Sequence, residues 1–286
     1  KWNGENSMAQ DWKGTAYNQV PHSRNEIHGD KVAKHFGFKG GLVPGVTVSA
    51  YLLHPAAVSY GMDFLERGFA HVRVNSPLYD EQAFKVHIEN QTEDQARSQH
   101  QGQVDQGYSA LLVPNGEAPC ATAEIHIAGT RTDPPRRRED ELGDPNAPSV
   151  PATRSNMEAL RESGCKAFTY RWNADHEMST YLREKSGMAP PYSMDEYANP
   201  SFVLGISNWV LAANAYMNPW VHMETKSQNY APIPQGTKVV GEMEIKDLFD
   251  KKGHEFVDVL VNIFDVESNR CYSSIELRAI YKLRGL

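Results

Sequence analysis

Cysteine is scarce: the 286 residues hold only Cys120, Cys165 and Cys271, and these lack metal-ligand spacing. An odd set cannot all pair, which favours plain thiols in a reducing, cytoplasmic setting. Long apolar runs are missing too, since no stretch nears the roughly 18 residues of a membrane span, so no membrane partner is expected. Positive charge is not in excess. A net charge of -7 argues against nucleic acid as partner, because phosphate recognition normally draws on a basic face; an anionic ligand held by a local site stays open. The first residues are charged and polar, unlike a secretory leader; Lys1 is not an initiator, and Met8 would serve as a start. No serine-nucleophile motif, phosphate loop or zinc spacing occurs, so neither a metal nor a resident cofactor is expected.

What is present begins with a 40% hydrophobic content, enough for a real core, over a length that allows one large domain or two of ordinary size. Gly14 to Val20 reads as an extended entry. Ser23-Arg24-Asn25-Glu26 fits a capping box opening a helix over Glu26 to Phe36, which Gly37 stops. Gly40-Gly41 leads to Pro44-Gly45 and a mostly apolar helix, Val46 to Ser59, that Pro55 should kink or restart. From Phe69 the period changes to alternation, predicting strands at 69–74, 84–88, 108–113 and 121–127. Gln91 to Gly107 is polar and reads as a turn or hairpin tip. Thr130 to Arg154, with Pro134-Pro135 and Arg136-Arg137-Arg138, reads as a linker. Its arginines suit a phosphorylated ligand, but a solvated linker is the simpler reading.

After the linker the pattern restarts. His71 to Tyr79 is echoed by His222 to Tyr230, with His and Tyr eight apart in each, and Cys120 to Glu124 by Cys271 to Glu276. The apolar helix is matched by Ser201 to Tyr216, opened by Asn199-Pro200. The offset stays near 150 residues, so two copies of a helix-plus-antiparallel-sheet unit stand in tandem, an α+β class. The expected division is residues 1–130, a linker over 131–155, and residues 156–286. The copies differ: His28 falls on Met178 or Ser179, and the double glycine has become Ala189-Pro190-Pro191-Tyr192. The first copy should carry any chemistry and the second supply shape. His71 and His222, and likewise Tyr79 and Tyr230, read as structural, both histidines on strand faces opposite Val72/Val74 and Met223/Thr225.

Asn25-x-Ile27-His28-x-Asp30, Ala33, Gly37-Phe38 and Gly41-Leu42-Val43-Pro44-Gly45 together resemble the MaoC-like (R)-specific enoyl-CoA hydratase family. The resemblance implies a double hot dog, each half a long helix wrapped by antiparallel sheet. It implies a small-molecule acyl thioester as substrate, carried on CoA or a carrier protein, and homodimerisation of double hot dogs. The implied reaction adds or removes water at an enoyl thioester; a thioesterase or a non-catalytic acyl-thioester-binding protein would share the fold. The family places an Asp five residues before its His, where this chain has Ser23. Asp30 lies on a different helix face, and His22, adjoining position 23, is a candidate second imidazole.

The catalytic candidates are His28, Asn25 and Gly45. An imidazole titrates near neutrality and suits proton transfer. Asn25 would orient water or a carbonyl, or cap the helix. The Gly45 N–H, at a helix start, has no intrahelical partner and lies at the positive end of the dipole, where it would stabilise a thioester oxygen gaining charge. Ser23, Gly40, Gly41, Val43 and Pro44 are the substrate-binding candidates, Ser23 doubling as a helix cap.

Overall fold

The computed structural model describes residues 8–92, 106–127, 129 and 132–286. The Gln-rich stretch expected as a hairpin tip falls mostly outside these residues, as does the start of the expected linker.

Strand β1 (Trp12–Thr15) is followed by a single 3-10 turn at Glu26–His28 and three helices: α1 (Asp30–His35), α2 (Gly45–Tyr60) and α3 (Met62–Arg67). Strands β2 (Gly68–Val74), β3 (Ala83–Thr92), β4 (Gln106–Pro114) and β5 (Ala121–Ile127) complete the first copy. The second copy opens with the two-residue strand β6 (Val150–Pro151), α4 (Arg154–Ser163), β7 (Phe168–Arg171), α5 (Pro190–Ser193) and α6 (Pro200–Asn214). Strand β8 (Ala215–Tyr216) pairs with β6, and β9 (Val221–Asn229), β10 (Lys238–Lys251), β11 (His254–Asp265) and β12 (Cys271–Lys282) follow.

Ten of these strands form one sheet in the order β1-β3-β4-β5-β2-β9-β12-β11-β10-β7. Equivalent strands of the two copies are met in the same succession from either edge. The seam is the antiparallel pair β2 and β9, registered from Phe69 opposite Gln228 to Arg73 opposite Glu224. Helices α2 and α6 pack on each other and on strands of the sheet. The chain is a double hot dog, as the repeat and the motif led us to expect; the entry segment proves to be partly an edge strand, so each copy gives the large sheet five strands rather than four.

Helix α2 is buried along its whole length except at Val58, which is why its sequence is apolar on all sides. Pro55 neither ends nor restarts it. Proline cannot donate to the ladder and its ring pushes on the preceding turn, and the side chain of Tyr108 from β4 fills the opening. The Ala56 N–H donates to the Tyr108 hydroxyl at 3.0 Å, and that hydroxyl donates to the Leu52 carbonyl at 2.9 Å. Helix α6 starts as its sequence predicts, with the Asn199 side chain accepting from the Ser201 N–H and Pro200 in the first turn.

Three expectations change. The helix over Glu26 to Phe36 is broken by extended backbone at Gly29, and the positive-φ Gly37 closes only its second part. The capping box does not form: Asn25 caps the 3-10 turn, the Ser23 hydroxyl donates to the Asn25 carbonyl at 2.9 Å, and the Glu26 carboxylate accepts from Asn218 at 2.7 Å. The arginine run is docked on β10 and its neighbours, although Arg136 and Arg138 keep exposed side chains. Arg137 donates to Asn269 at 2.6 Å, and the N–H groups of Arg138 and Asp140 reach the Glu242 carboxylate at 2.8 and 3.0 Å. Glu242 is buried in β10, and a buried carboxylate needs such donors. Among the described residues no helix is long and apolar enough to cross a membrane.

Candidate functional site

The segment around His28 packs against the second copy as well as its own. Ile27, Ala33 and Leu42 form a small core with Phe256, Ile280 and Leu283 of the second copy. Both ends of the Asn25 side chain hold the same foreign residue: Nδ2 donates to the Trp220 carbonyl at 2.9 Å, and Oδ1 accepts from the Trp220 N–H at 3.1 Å. Asn25 is thus a staple across the two copies, set two residues ahead of His222.

His28 is clamped from three sides. Its Nδ1 meets the Leu42 carbonyl at 2.7 Å, its own carbonyl accepts from Asn18 Nδ2 at 2.9 Å, and the Ile27 carbonyl accepts from the Leu42 N–H at 3.1 Å. A carbonyl only accepts, so Nδ1 carries the proton and Nε2 presents a bare lone pair. The surrounding packing desolvates the ring and pushes its pKa down to about 4, although the Leu42 carbonyl pulls the other way. His28 is therefore neutral at pH 7.

The glycine-rich loop earns its composition. A Cβ on Gly41 would lie 2.1 Å from the His28 carbonyl oxygen, so only glycine allows the loop to close on the histidine. Its N–H donates to Asp30 at 2.8 Å, giving that acid a loop-holding role; Gly40 sits beside the same carboxylate. The Val43 N–H donates to the Leu78 carbonyl. Pro44 takes the N-cap position of α2 with no side chain capping the turn, and its carbonyl accepts from Thr47 and Val48. The N–H groups of Gly45 and Val46 stand at the open first turn. His22 is at the surface.

A second imidazole reaches this turn from elsewhere. A Cβ on Gly45 would lie 2.5 Å from Cδ2 of His222, so the glycine is required by a ring lying flush against the helix start. His222 is 7% exposed, and its Nδ1 meets Asn208 Oδ1 at 3.0 Å. Burial, and after it the charge of His28, push its pKa down to about 3. Its Nε2 is buried without a hydrogen-bond partner.

His222 was expected on the outer face of its strand, and it is not. Along the β9–β12 ladder Glu224 pairs with Arg278 and His222 with Ala279, so Met223 is an extra residue, a β-bulge. Past the bulge the faces exchange, and His222 turns inward with Thr225 and Ser227. His71, on the regular strand β2, keeps the outer face and bonds Glu224 through Nε2. The second copy thus places an imidazole against the start of the first copy's central helix.

A cavity of about 40 Å³ lies at the opposite helix start, between Leu53, Phe64, Pro200, Val203, Ser227 and Asn229. Leu53 and Pro200 belong to α2 and α6, so the end of the repeat equivalent to the His28 site has a mixed lining with no histidine in it.

No family model matches the chain, and no curated protein matches its sequence. Solved structures do share its fold. A putative MaoC domain protein dehydratase from Chloroflexus aurantiacus J-10-fl superposes with a TM-score of 0.60 at 10% identity, covering 100% of this chain and 99% of its own. A conserved hypothetical protein from Mycobacterium tuberculosis, described as essential for bacterial survival during infection and as a double hotdog, gives 0.58 at 10% identity over 96% of both chains. A MaoC-like dehydratase gives 0.54 at 11% identity, over 96% and 98%.

Proposed function

We propose that the chain acts on acyl thioesters as a hydratase or dehydratase, with His28 as the proton shuttle. The observation that carries this reading is the neutral His28 ring, its Nδ1 tied to Leu42 and its Nε2 left as a proton acceptor, held by the same short loop that ends at the uncapped start of α2. A base and a pair of free N–H groups are what water addition to an enoyl thioester requires.

In the forward direction His28 Nε2 takes a proton from water while the water oxygen bonds the β-carbon. The π pair moves toward the α-carbon, and charge collects on the thioester oxygen, where the Gly45 and Val46 N–H groups meet it. The α-carbon then takes the proton back from the imidazolium, which restores neutral His28. Dehydration runs these steps in reverse. Asn25 acts in this scheme by holding the His28 segment against Trp220, and Ser23 by closing the turn before it.

The test is a purified chain incubated with crotonyl-CoA, following the enoyl-thioester absorbance together with thiol release. The expected result is loss of the band without free thiol, and a fall of about 10²–10⁴-fold in His28→Ala. Since burial holds His28 near a pKa of about 4, kcat/KM should stay level well below the usual imidazole range and decline only as pH nears that value. Thiol release would instead make the chain a thioesterase. Silence in both signals, with ligand-dependent thermal stabilisation, would make it a binding protein.

A further inference from the structure

We infer that His222, brought over from the second copy, is the second water-binding group of this site: its Nε2 and that of His28 accept hydrogen bonds from the two O–H groups of a single reacting water. The inference rests on the acyl-thioester reading above and names the group that fills the place left by Ser23.

Three independent features of the chain converge on it. The first is an unmet hydrogen bond. Among the described residues, two buried side-chain atoms have no partner, Arg137 Nε and His222 Nε2. Arg137 lies 4.0 Å from the Glu242 carboxylate, so its charge is answered. Nothing answers His222. A buried lone pair left without a donor costs stability, and buried polar groups without partners call for a role or a bound molecule to explain them.

The second is the tautomer. Asn208 Oδ1 accepts from Nδ1–H of His222, and an amide oxygen cannot donate. The lone pair therefore sits on Nε2, the same arrangement that Leu42 imposes on His28. Two neutral imidazoles, each protonated on the far nitrogen, present two acceptors and no donor. Water has two donors, and its oxygen is then left free to attack.

The third is placement. The ring of His222 lies against Gly45, at the turn where two N–H groups are open, and the proximity of His28 lowers its proton affinity. The bulge at Met223 is what turns it inward, and Asn25 fastens the strand entry to the His28 segment. In the reaction His28 takes the proton and returns it to the α-carbon, while His222 only holds the second O–H bond, so the atoms balance with no further acid. His222 is then a residue that grips the water.

The experiment uses the full chain with three readouts. Turnover of crotonyl-CoA in wild type tests the acyl-thioester reading itself, and its absence overturns that reading together with this inference. Given turnover, His222→Gln should lower kcat by about 10²-fold with KM changed less than about threefold; unchanged kcat would overturn the inference and leave the reading intact. In case that variant folds poorly, Asn208→Leu keeps the imidazole but removes its tautomer lock. It should lower kcat, and the imidazole ¹⁵N spectrum should show His222 passing from a pure Nδ1–H form to a mixture. In wild type, the His222 Nε2 resonance should be that of a bare nitrogen and should shift when saturated butyryl-CoA is added. A protonated Nε2, or one indifferent to the ligand, would overturn the inference.

Discussion

At the scale of single residues, several positions are fixed by what they must leave room for or fill. Tyr108 shows the second case. Proline in mid-helix was visible in the sequence, and the simplest expectation was a kink at Pro55. The plug that preserves the helix comes from a tyrosine 52 residues beyond Ala56, which no local reading of 46–59 could locate. Its hydroxyl satisfies one buried donor and one buried acceptor of α2, so Tyr108→Phe leaves both unpaired. The expected cost is about 1–3 kcal/mol of unfolding free energy, read from urea melts, whereas a phenylalanine at an exposed tyrosine such as Tyr216 should change little. A neutral result at position 108 would mean that α2 closes its own ladder past the proline.

Among elements, β9 decides where the chemistry can be. The repeat, the two central helices and most strands were legible because alternation and offset survive in both copies. The loop at 37–45 was legible because Gly41 and Gly45 are demanded by contacts with His28 and His222. The role of His222 was hidden for a definite reason: alternation assigns a face only while the strand stays in register, and one extra residue at Met223 exchanges the faces. Inserting an alanine between Arg278 and Ala279 should give Met223 a partner, remove the bulge and turn His222 outward. Its pKa, held down to about 3 by burial and His28, should then rise toward the ordinary imidazole value of about 6.5 in an NMR titration. Deleting Met223 instead should leave His222 facing inward and its pKa low, because it then follows Glu224 in plain alternation. If both variants titrate alike, the bulge is not what aims the ring.

For the whole molecule, the histidines couple the interface to stability. His28 and His54 are pushed down to about 4 and His222 to about 3, in each case chiefly by burial. His54 is stacked on Trp12 with ring centroids 3.8 Å apart and meets the Tyr181 hydroxyl at 2.9 Å, tying α2 of the first copy to the second copy. In the unfolded chain all three return to about 6.5. Between that value and the folded pKa values the unfolded state binds more protons, so stability rises with pH across this window and levels off above it. Acidification from about pH 7 should therefore lower the melting temperature well before most carboxylates titrate. The slope between about pH 6.5 and 5 should be shallower in His54→Gln, whose own destabilisation shifts the curve without tilting it. Because these imidazoles sit where the two copies meet, the loss should appear as one cooperative transition, with tryptophan fluorescence and circular dichroism falling together. Two separated transitions would mean that the copies stand independently and that Asn25, His54 and the β2–β9 seam do not bind them into one folding unit.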